Sequence, residues 1–299
     1  ARLVCRGNNT TYGIDFGASF ADTLSMTTLR MVLAYTAAEG RFEFRVTDIK
    51  TAFVNAPIGR AHIYIRPPPG QPQTKANGEN LVIKLERCLY GLVDSAKNFQ
   101  IHLRKTLERL GMQVCTADPS LFKLTRGKDT LFCTAYCDDL TWATTNIRLL
   151  EEIFGKLTEQ MECTPLEPLT VLLGMRFAHD RERRQFHVTQ TDYVEAMAEK
   201  HLPPKYRHRA TPCSAAIMEL PKLDPVTDAA EIAEVQPAYR SAVGSIAWAA
   251  NQTHVLLACS MLSRHLHAPG EQHMKACRDL IAYLKDTSEM GITLGGTAS

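Results

Sequence analysis

This sequence has little of what marks a chain for a membrane, a disulfide framework or a zinc ribbon. No apolar run approaches the roughly 18–20 residues of a spanning helix, and no leader peptide is expected at its start. Nine cysteines are scattered along the 299 residues. No two of them form a CxxC pair, which argues against a zinc ribbon and against a disulfide set. Free thiols in a reducing compartment are the expectation. No internal repeat and no low-complexity tract interrupts the chain. Charge of one sign is missing too: the formal net charge is +2. Composition alone therefore gives little support for a nucleic-acid partner.

What remains is ordinary globular material, 45% hydrophobic and 22% charged. The length is at the limit of one hydrophobic core, roughly 250–300 residues, so two or three subdomains are expected. The chain opens at Ala1 in full stride (ARLVCRG) and closes on GITLGGTAS. It reads as a piece of a longer polypeptide.

The stretch richest in chemistry is Leu131 to Thr145, LFCTAYCDDLTWATT. Its halves, LFCTAY and LTWATT, have the character of short strands, joined by a turn assigned to Asp138 and Asp139. Adjacent carboxylates are costly where water is scarce, because each raises the energy of ionising the other. Flanked by Tyr136, Leu140 and Trp142, they need a reason for their charge. A divalent cation, magnesium or manganese, held by hard oxygen ligands is one reason. An Asx turn closing a hairpin without metal is the other. A second carboxylate sits on Phe42 to Ile49 (FEFRVTDI), whose strict alternation puts Phe42, Phe44, Val46 and Asp48 on one strand face. Asp48 ends that face either as a site residue or as a solvent-facing strand terminus.

The rest of the chain frames these two segments. An edge strand is expected at 2–6, a helix from about Thr27 to Ala38 stopped by Gly40, and a strand in HIYIRPPPG ended by three prolines. LVIKLERCLYGL returns as a strand. Asp94 is expected to cap an amphipathic helix running to Leu110 and closed by Gly111. A second helix is expected from Arg148 to Met161, and a hairpin over 169–188. Beyond Gln190 no strand pattern is visible. Helices are expected at 191–202, 236–251, 254–267 and 271–285, with 219–235 as an acidic, proline-bearing surface loop. The chain thus reads as mixed α/β to about 188 and all-α afterwards. If the strand of Asp48 pairs beside the DD hairpin, three carboxylates meet at one sheet edge. Two divalent ions held by aspartates about 3.5–4 Å apart are the arrangement that serves phosphoryl or nucleotidyl transfer.

These residues carry a resemblance. YCDD at 136–139 fits the YxDD motif of reverse transcriptases, and VTDIKTAFVNA at 46–56 is similar to the first-aspartate motif of the Ty1/copia class of LTR retrotransposons. ARLVCRG with GIDF resembles the fingers segment of that class. IYIRPPPG, LYGL and LGMRF resemble the loop before motif B, motif B itself and the primer-grip hairpin. YRSAVGSIAWAA and the segment from Leu262 to Lys285 resemble the stretch leading towards RNase H. The likeness covers nearly the whole chain in the right order.

The resemblance implies an α+β, right-hand polymerase: fingers with the first palm strand (about 41–56) over 1–92, palm over 93–188, and an all-α thumb or connection over 189–299. It implies RNA-directed DNA polymerase activity, with a catalytically weakened nucleic-acid-binding copy as the alternative. Asp48, Asp138 and Asp139 match the catalytic, metal-binding aspartates, and the Ile49 carbonyl matches a further ligand to two magnesium ions, or manganese. Phe53 matches the aromatic beside the sugar 2′ position, with an ordinary core phenylalanine as the other reading. Arg2, and after it Arg6, match a fingers arginine that meets the triphosphate. Tyr90 and Gly91 match the nucleotide side of motif B. Tyr136 and Cys137 lie at the primer end, Cys137 as a small filler. Gly174 and Met175 match the primer grip, or form a plain β-turn. Lys200, Lys205, Arg207 and Arg209 form a basic cluster able to grip phosphates, or a solvated helix end.

The implied partners are an RNA or DNA template with primer, dNTPs, and RNase H and integrase regions of the same polyprotein, with no membrane. A cytoplasmic virus-like particle is the expected location, with the nucleus as the alternative. Motif B departs from the family's YGLKQxPRAW: this chain reads YGLVDSAKNF. CTPLEPLTV lacks a lysine, and THVLLA replaces TRPDI.

Overall fold

In the computed structural model the chain is described over residues 3–59, 63–213, 217–225, 227–251 and 254–296. It divides into two units, 1–169 and 170–299.

The first unit is built on a six-stranded sheet. Its elements in chain order are α1 (Met26–Glu39), β1 (Glu43–Asp48), α2 (Ala52–Asn55), β2 (Ile63–Ile65), β3 (Ile83–Leu85), α3 (Ser95–Arg109), β4 (Gln113–Val114), β5 (Leu121–Arg126), β6 (Asp129–Tyr136), β7 (Asp139–Thr144), α4 (Ile147–Thr158) and β8 (Glu167–Pro168). The sheet order is β4-β5-β6-β7-β1-β8, so β1 crosses a long stretch of sequence to lie beside β7. β2 and β3 form a separate ribbon. Alternation decides which side of the large sheet is covered. Leu131, Cys133 and Ala135 of β6, with Leu140 and Trp142 of β7, join one core with Phe99, Leu103 and Leu107 of α3 and Leu149, Leu150, Ile153 and Leu157 of α4. These helical residues recur at three- and four-residue spacing, as a buried stripe requires. α4 starts where the Asn146 side chain accepts from Arg148 N–H (3.0 Å). α1 starts where Ser25 Oγ accepts from Thr28 N–H (3.0 Å) and stops at Gly40 with φ 71°.

Part of the opposite sheet face meets α1 through the ring of Phe132 against Tyr35 (6.4 Å), with Phe42, just before β1, beside it (6.0 Å). The strand expected at 2–6 is not formed over the described residues 3–6. Instead, Cys5 N–H donates to the Tyr90 carbonyl (2.7 Å). The strand expected over 81–92 contracts to Ile83–Leu85, which pairs with β2.

The second unit comprises β9 (Val171–Leu172), β10 (Met175–Asp180), β11 (Gln185–Thr189), α5 (Thr191–His201), α6 (Ala229–Ala250), α7 (Leu256–Ser263), α8 (Glu271–Asp286) and β12 (Ile292–Gly295). Its sheet runs β12-β11-β10-β9. Val194, Met197, Tyr239, Ile246, Leu262, Cys277, Leu280 and Ile281 belong to its core. The buried Tyr239 hydroxyl donates to the Leu262 carbonyl (2.7 Å).

Two expectations are corrected here. The region after Gln190 is not all-α, because β12 returns to pair with β11 from Val188↔Ile292 to Gln185↔Gly295. The supposed loop 219–235 gives its last seven residues to α6. Ile232 and Val235 are buried there and extend the stripe of Tyr239, Val243 and Ile246. Packing of that stripe outweighs the proline inside the helix, Pro237.

Candidate active site

The antiparallel register places the predicted aspartates. In the β1–β7 pair Asp48 stands directly opposite Asp139, and in the β6–β7 pair Asp139 stands opposite Tyr136. Directly opposed residues share a sheet face, so Asp48, Asp139 and Tyr136 form one row across three strands. Ile49 N–H donates to the Asp138 carbonyl (2.9 Å), which ties the end of β1 to the hairpin turn. The turn itself is shifted by one residue from expectation. Cys137 and Asp138 are its two central residues, and Asp139 already belongs to the ladder of β7. Cys137 is exposed and has φ 53°, at the first central position, where glycine is preferred in a two-residue hairpin.

The electrostatics follow from this crowding. Burial first, and the Asp138 charge second, hold the Asp48 carboxyl above its usual range. Burial, then Asp138, then Asp48 do the same to Asp139. The Cys137 thiol is likewise pushed up by burial and by both neighbouring aspartates. Among the described residues no cation is ion-paired with any of the three carboxylates; the nearby Lys50 is paired with Glu162 (2.7 Å). The donor set therefore has the chemistry of a hard-cation site: like charges brought together with no protein countercharge. Among the described residues no group of three His, Cys, Asp or Glu side chains is already arranged around a common point. The register aligns the backbones; it does not by itself close the side chains into a cage.

The Phe53 ring is packed 5.0 Å from Tyr90 and 6.1 Å from Phe99. Phe53, Phe99, Leu103, Phe122, Ala135 and Cys137 line an apolar cavity of about 60 Å³. Phe53 is thus a half-buried core ring as well as a neighbour of the turn. Gly91 has φ 88°, and a Cβ there would meet the Cys5 carbonyl oxygen at 2.0 Å. Tyr90 and Gly91 hold the N-terminal segment through their backbones. Arg2 lies outside the described residues; Arg6 is exposed.

In the second unit the structure corrects two assignments. Met175 opens β10 but is only 1% exposed, so its side chain is a core residue and not a surface for primer. The adjoining Gly174, with φ 72°, belongs to the turn between β9 and β10. Arg209 is paired with Asp279 (2.5 Å), while its own N–H donates to Asp286 (3.0 Å). That arginine anchors the chain to α8 instead of standing free. Lys200 donates to Ser241 Oγ (3.0 Å). Lys205 and Arg207 are exposed and have no ion pair among the described residues.

Sequence reasoning missed the segment Glu162–Thr164, which flanks β1. Lys50 N–H donates to the Glu162 carbonyl (2.8 Å), and Ile49 bridges Cys163. Burial, then the charges of Asp48 and Glu162, push the Cys163 thiol up to about 11. No motif marks these residues; the proline at 165 is the one signal that the strand there is irregular.

Comparison with known proteins adds an independent line. A family model described as reverse transcriptase (RNA-dependent DNA polymerase) matches residues 1–214. The chain is 29% identical over 308 residues to the Retrovirus-related Pol polyprotein from transposon RE1 of Arabidopsis thaliana, covering 100% of this chain and 20% of that protein. It is 27% identical over 300 residues to the Retrovirus-related Pol polyprotein from transposon TNT 1-94 of Nicotiana tabacum, covering 99% and 22%. Transposon RE2 of Arabidopsis thaliana gives 26% over 303 residues, covering 100% and 20%. The chain thus spans about a fifth of these relatives' length.

Proposed function

The chain belongs to the reverse transcriptase family of RNA-directed DNA polymerases, nucleotidyltransferases found in copia-type retrotransposon Pol polyproteins, and from that premise we propose that it extends a primer 3′-hydroxyl with dNTPs at the row of Asp48 and Asp139 beside Asp138. The observation that carries this reading is the direct pairing of Asp48 with Asp139 across β1 and β7. Residues 91 positions apart bring like charges together with no countercharge among the described residues, which is a cost with no structural return.

The three carboxylates and the Ile49 carbonyl would hold two magnesium ions. When bound, such ions neutralise phosphate charge and activate the attacking hydroxyl. The chain's own contribution is placement. The β1–β7 ladder fixes Asp48 against Asp139, and the Ile49–Asp138 hydrogen bond fixes the turn to the end of β1. The Phe53 ring, braced by Tyr90 and Phe99, would abut the sugar of the incoming nucleotide. Arg2 or Arg6 would meet its triphosphate, and the end of the hairpin at Tyr136 and Cys137 would face the primer end. On this reading residues 1–92 supply fingers and the first palm strand, the six-stranded sheet is the palm, and the helical region after 189 is the thumb or connection. Lys205 and Arg207 would contact the phosphates of a template–primer. RNase H and integrase regions of the same polyprotein would be its partners, in a cytoplasmic particle or the nucleus.

Primer extension on an RNA template with magnesium is the test. Activity in the native chain with loss in Asp138→Asn, at unchanged folding, is the expected result. If Asp138→Asn extends at the native rate, the role given to the turn is wrong. The altered motif B, YGLVDSAKNF, favours a second reading as a copy that binds nucleic acid without extending it. A native chain that binds template–primer but adds no nucleotide would select that reading.

A further inference from the structure

The outer side of β1 is held by a segment whose register slips beside the candidate site. β8 pairs with β1 through Arg45↔Pro168 and Val46↔Glu167, and further along Ile49 bridges Cys163. Between these pairings β1 places two residues, Thr47 and Asp48, and the facing segment places three, Thr164, Pro165 and Leu166. The extra residue makes a bulge directly opposite Asp48, a device that re-aims side chains at sheet edges. Pro165 has no N–H to offer the ladder.

One residue nevertheless holds the Asp48 backbone on both sides. Thr164 N–H donates to the Asp48 carbonyl (2.9 Å), and Asp48 N–H donates to Thr164 Oγ1 (2.8 Å). Thr164 is itself fixed, because Thr47 Oγ1 donates to its carbonyl (2.6 Å). A side-chain hydroxyl thus accepts where the bulge has displaced the ladder's carbonyl. We propose that Thr164 is the positioning residue for Asp48. Its hydroxyl sets the peptide plane before Asp48, and with it the direction in which the carboxylate leaves β1 towards Asp139. This inference rests on the two-cation reading of the site. It adds to that reading a residue that touches neither cation nor substrate.

The experiment compares the native chain, Thr164→Val and Thr164→Ser. Valine keeps the shape and removes the acceptor; serine keeps the acceptor. Two quantities are read: primer extension, and the magnesium concentration that gives the half-maximal rise in Tm, since a ligand bound only by the folded state raises Tm. Thr164→Val is expected to lower kcat about 10- to 100-fold, the scale of an ångström-level misplacement, with KM for dNTP within about two-fold. It should also need several-fold more magnesium for the same rise in Tm. Thr164→Ser should recover both to within about three-fold, although both variants shorten or replace the same side chain.

Native kcat and native magnesium response in Thr164→Val would overturn the inference. So would a Thr164→Ser protein as impaired as Thr164→Val, which would make packing and not the hydroxyl the cause. The magnesium arm reads Asp48 placement even in a chain that adds no nucleotide. Loss of polymerase activity with an intact Thr164 effect therefore strikes the reaction alone. A native chain whose Tm ignores magnesium strikes both.

Discussion

Two sets of charged residues, one in each unit, are held in opposite ways. In the first, Asp48, Asp138 and Asp139 crowd one end of a sheet, and burial and mutual repulsion hold Asp48 and Asp139 above the ordinary carboxylate range. In the second, charged groups are matched: Arg176 with Asp192, Arg209 with Asp279, His208 with Asp286. Arg209 ties the segment after α5 to α8. The first unit holds like charges together at one edge of its sheet; in the second these pairs tie charged side chains to one another, while Lys205 and Arg207 have no ion pair among the described residues. On the proposed function, the contrast separates residues kept for chemistry from residues kept for the fold.

The sharpest way to break this comparison is Asp139→Asn. Extension should fall on the order of 1,000-fold, as when a main charge-stabilising group is lost. Stability should move the other way. An acid whose folded pKa lies above its unfolded value costs stability when charged; the cost is fully present above the folded pKa, shrinks as pH falls through it, and is gone below the unfolded value of about 4. At pH 7 without magnesium, Asp139→Asn should therefore raise Tm by on the order of 2 °C, and the gap should close near pH 4. A lower Tm at pH 7 would mean that the carboxylate is structural, and the contrast between the units would fail.

Arg209→Ala tests the other side. It removes a side chain that is three-quarters buried and leaves Asp279 without its partner, so thermal unfolding should show a loss of about 1–2 kcal/mol, with no change in the magnesium requirement. Cys137→Gly is a smaller probe of the first unit. Relieving positive φ at the turn should stabilise it by about 1 kcal/mol, read from denaturant midpoints. The smallest effect on stability belongs to Lys205→Ala with Arg207→Ala. Tm should stay within about 1 °C, while the slope of log affinity against log salt for a template–primer should fall by about one per residue removed. An unchanged slope would remove this pair from the nucleic-acid surface.

Much of the first unit was legible in the sequence because its signals are local. The alternation of FEFRVTDI, the apolar halves around YCDD, and the stripe Phe99, Leu103, Leu107 each specify one face of one element, and the observed elements follow them. The approach of Asp48 to the doublet was legible only as a condition on strand pairing; the register meets it. What was lost depends on partners. β12 is a four-residue strand with no pattern of its own until β11 supplies its ladder. The first turns of α6 look like an acidic loop until Ile232 and Val235 find a core. Met175 resembles a surface grip until burial shows it pointing inward. The turn was misassigned by one residue because two aspartates are a stronger turn signal than a cysteine with positive φ. Thr164 left no trace, since its role lies in a bulge that only the paired strands define.

Gly7 and Gly91 carry a consequence for which substitutions this chain can bear. A Cβ on Gly7 would meet the Gly91 carbonyl oxygen at 2.1 Å, and one on Gly91 would meet that of Cys5 at 2.0 Å. The N-terminal segment is therefore moored to the 90–91 turn by main-chain atoms. A mooring of that kind depends on the absence of a side chain at the two glycines more than on any one side chain beside them. Exposed side chains around this contact can change, while the two glycines keep the segments berthed together.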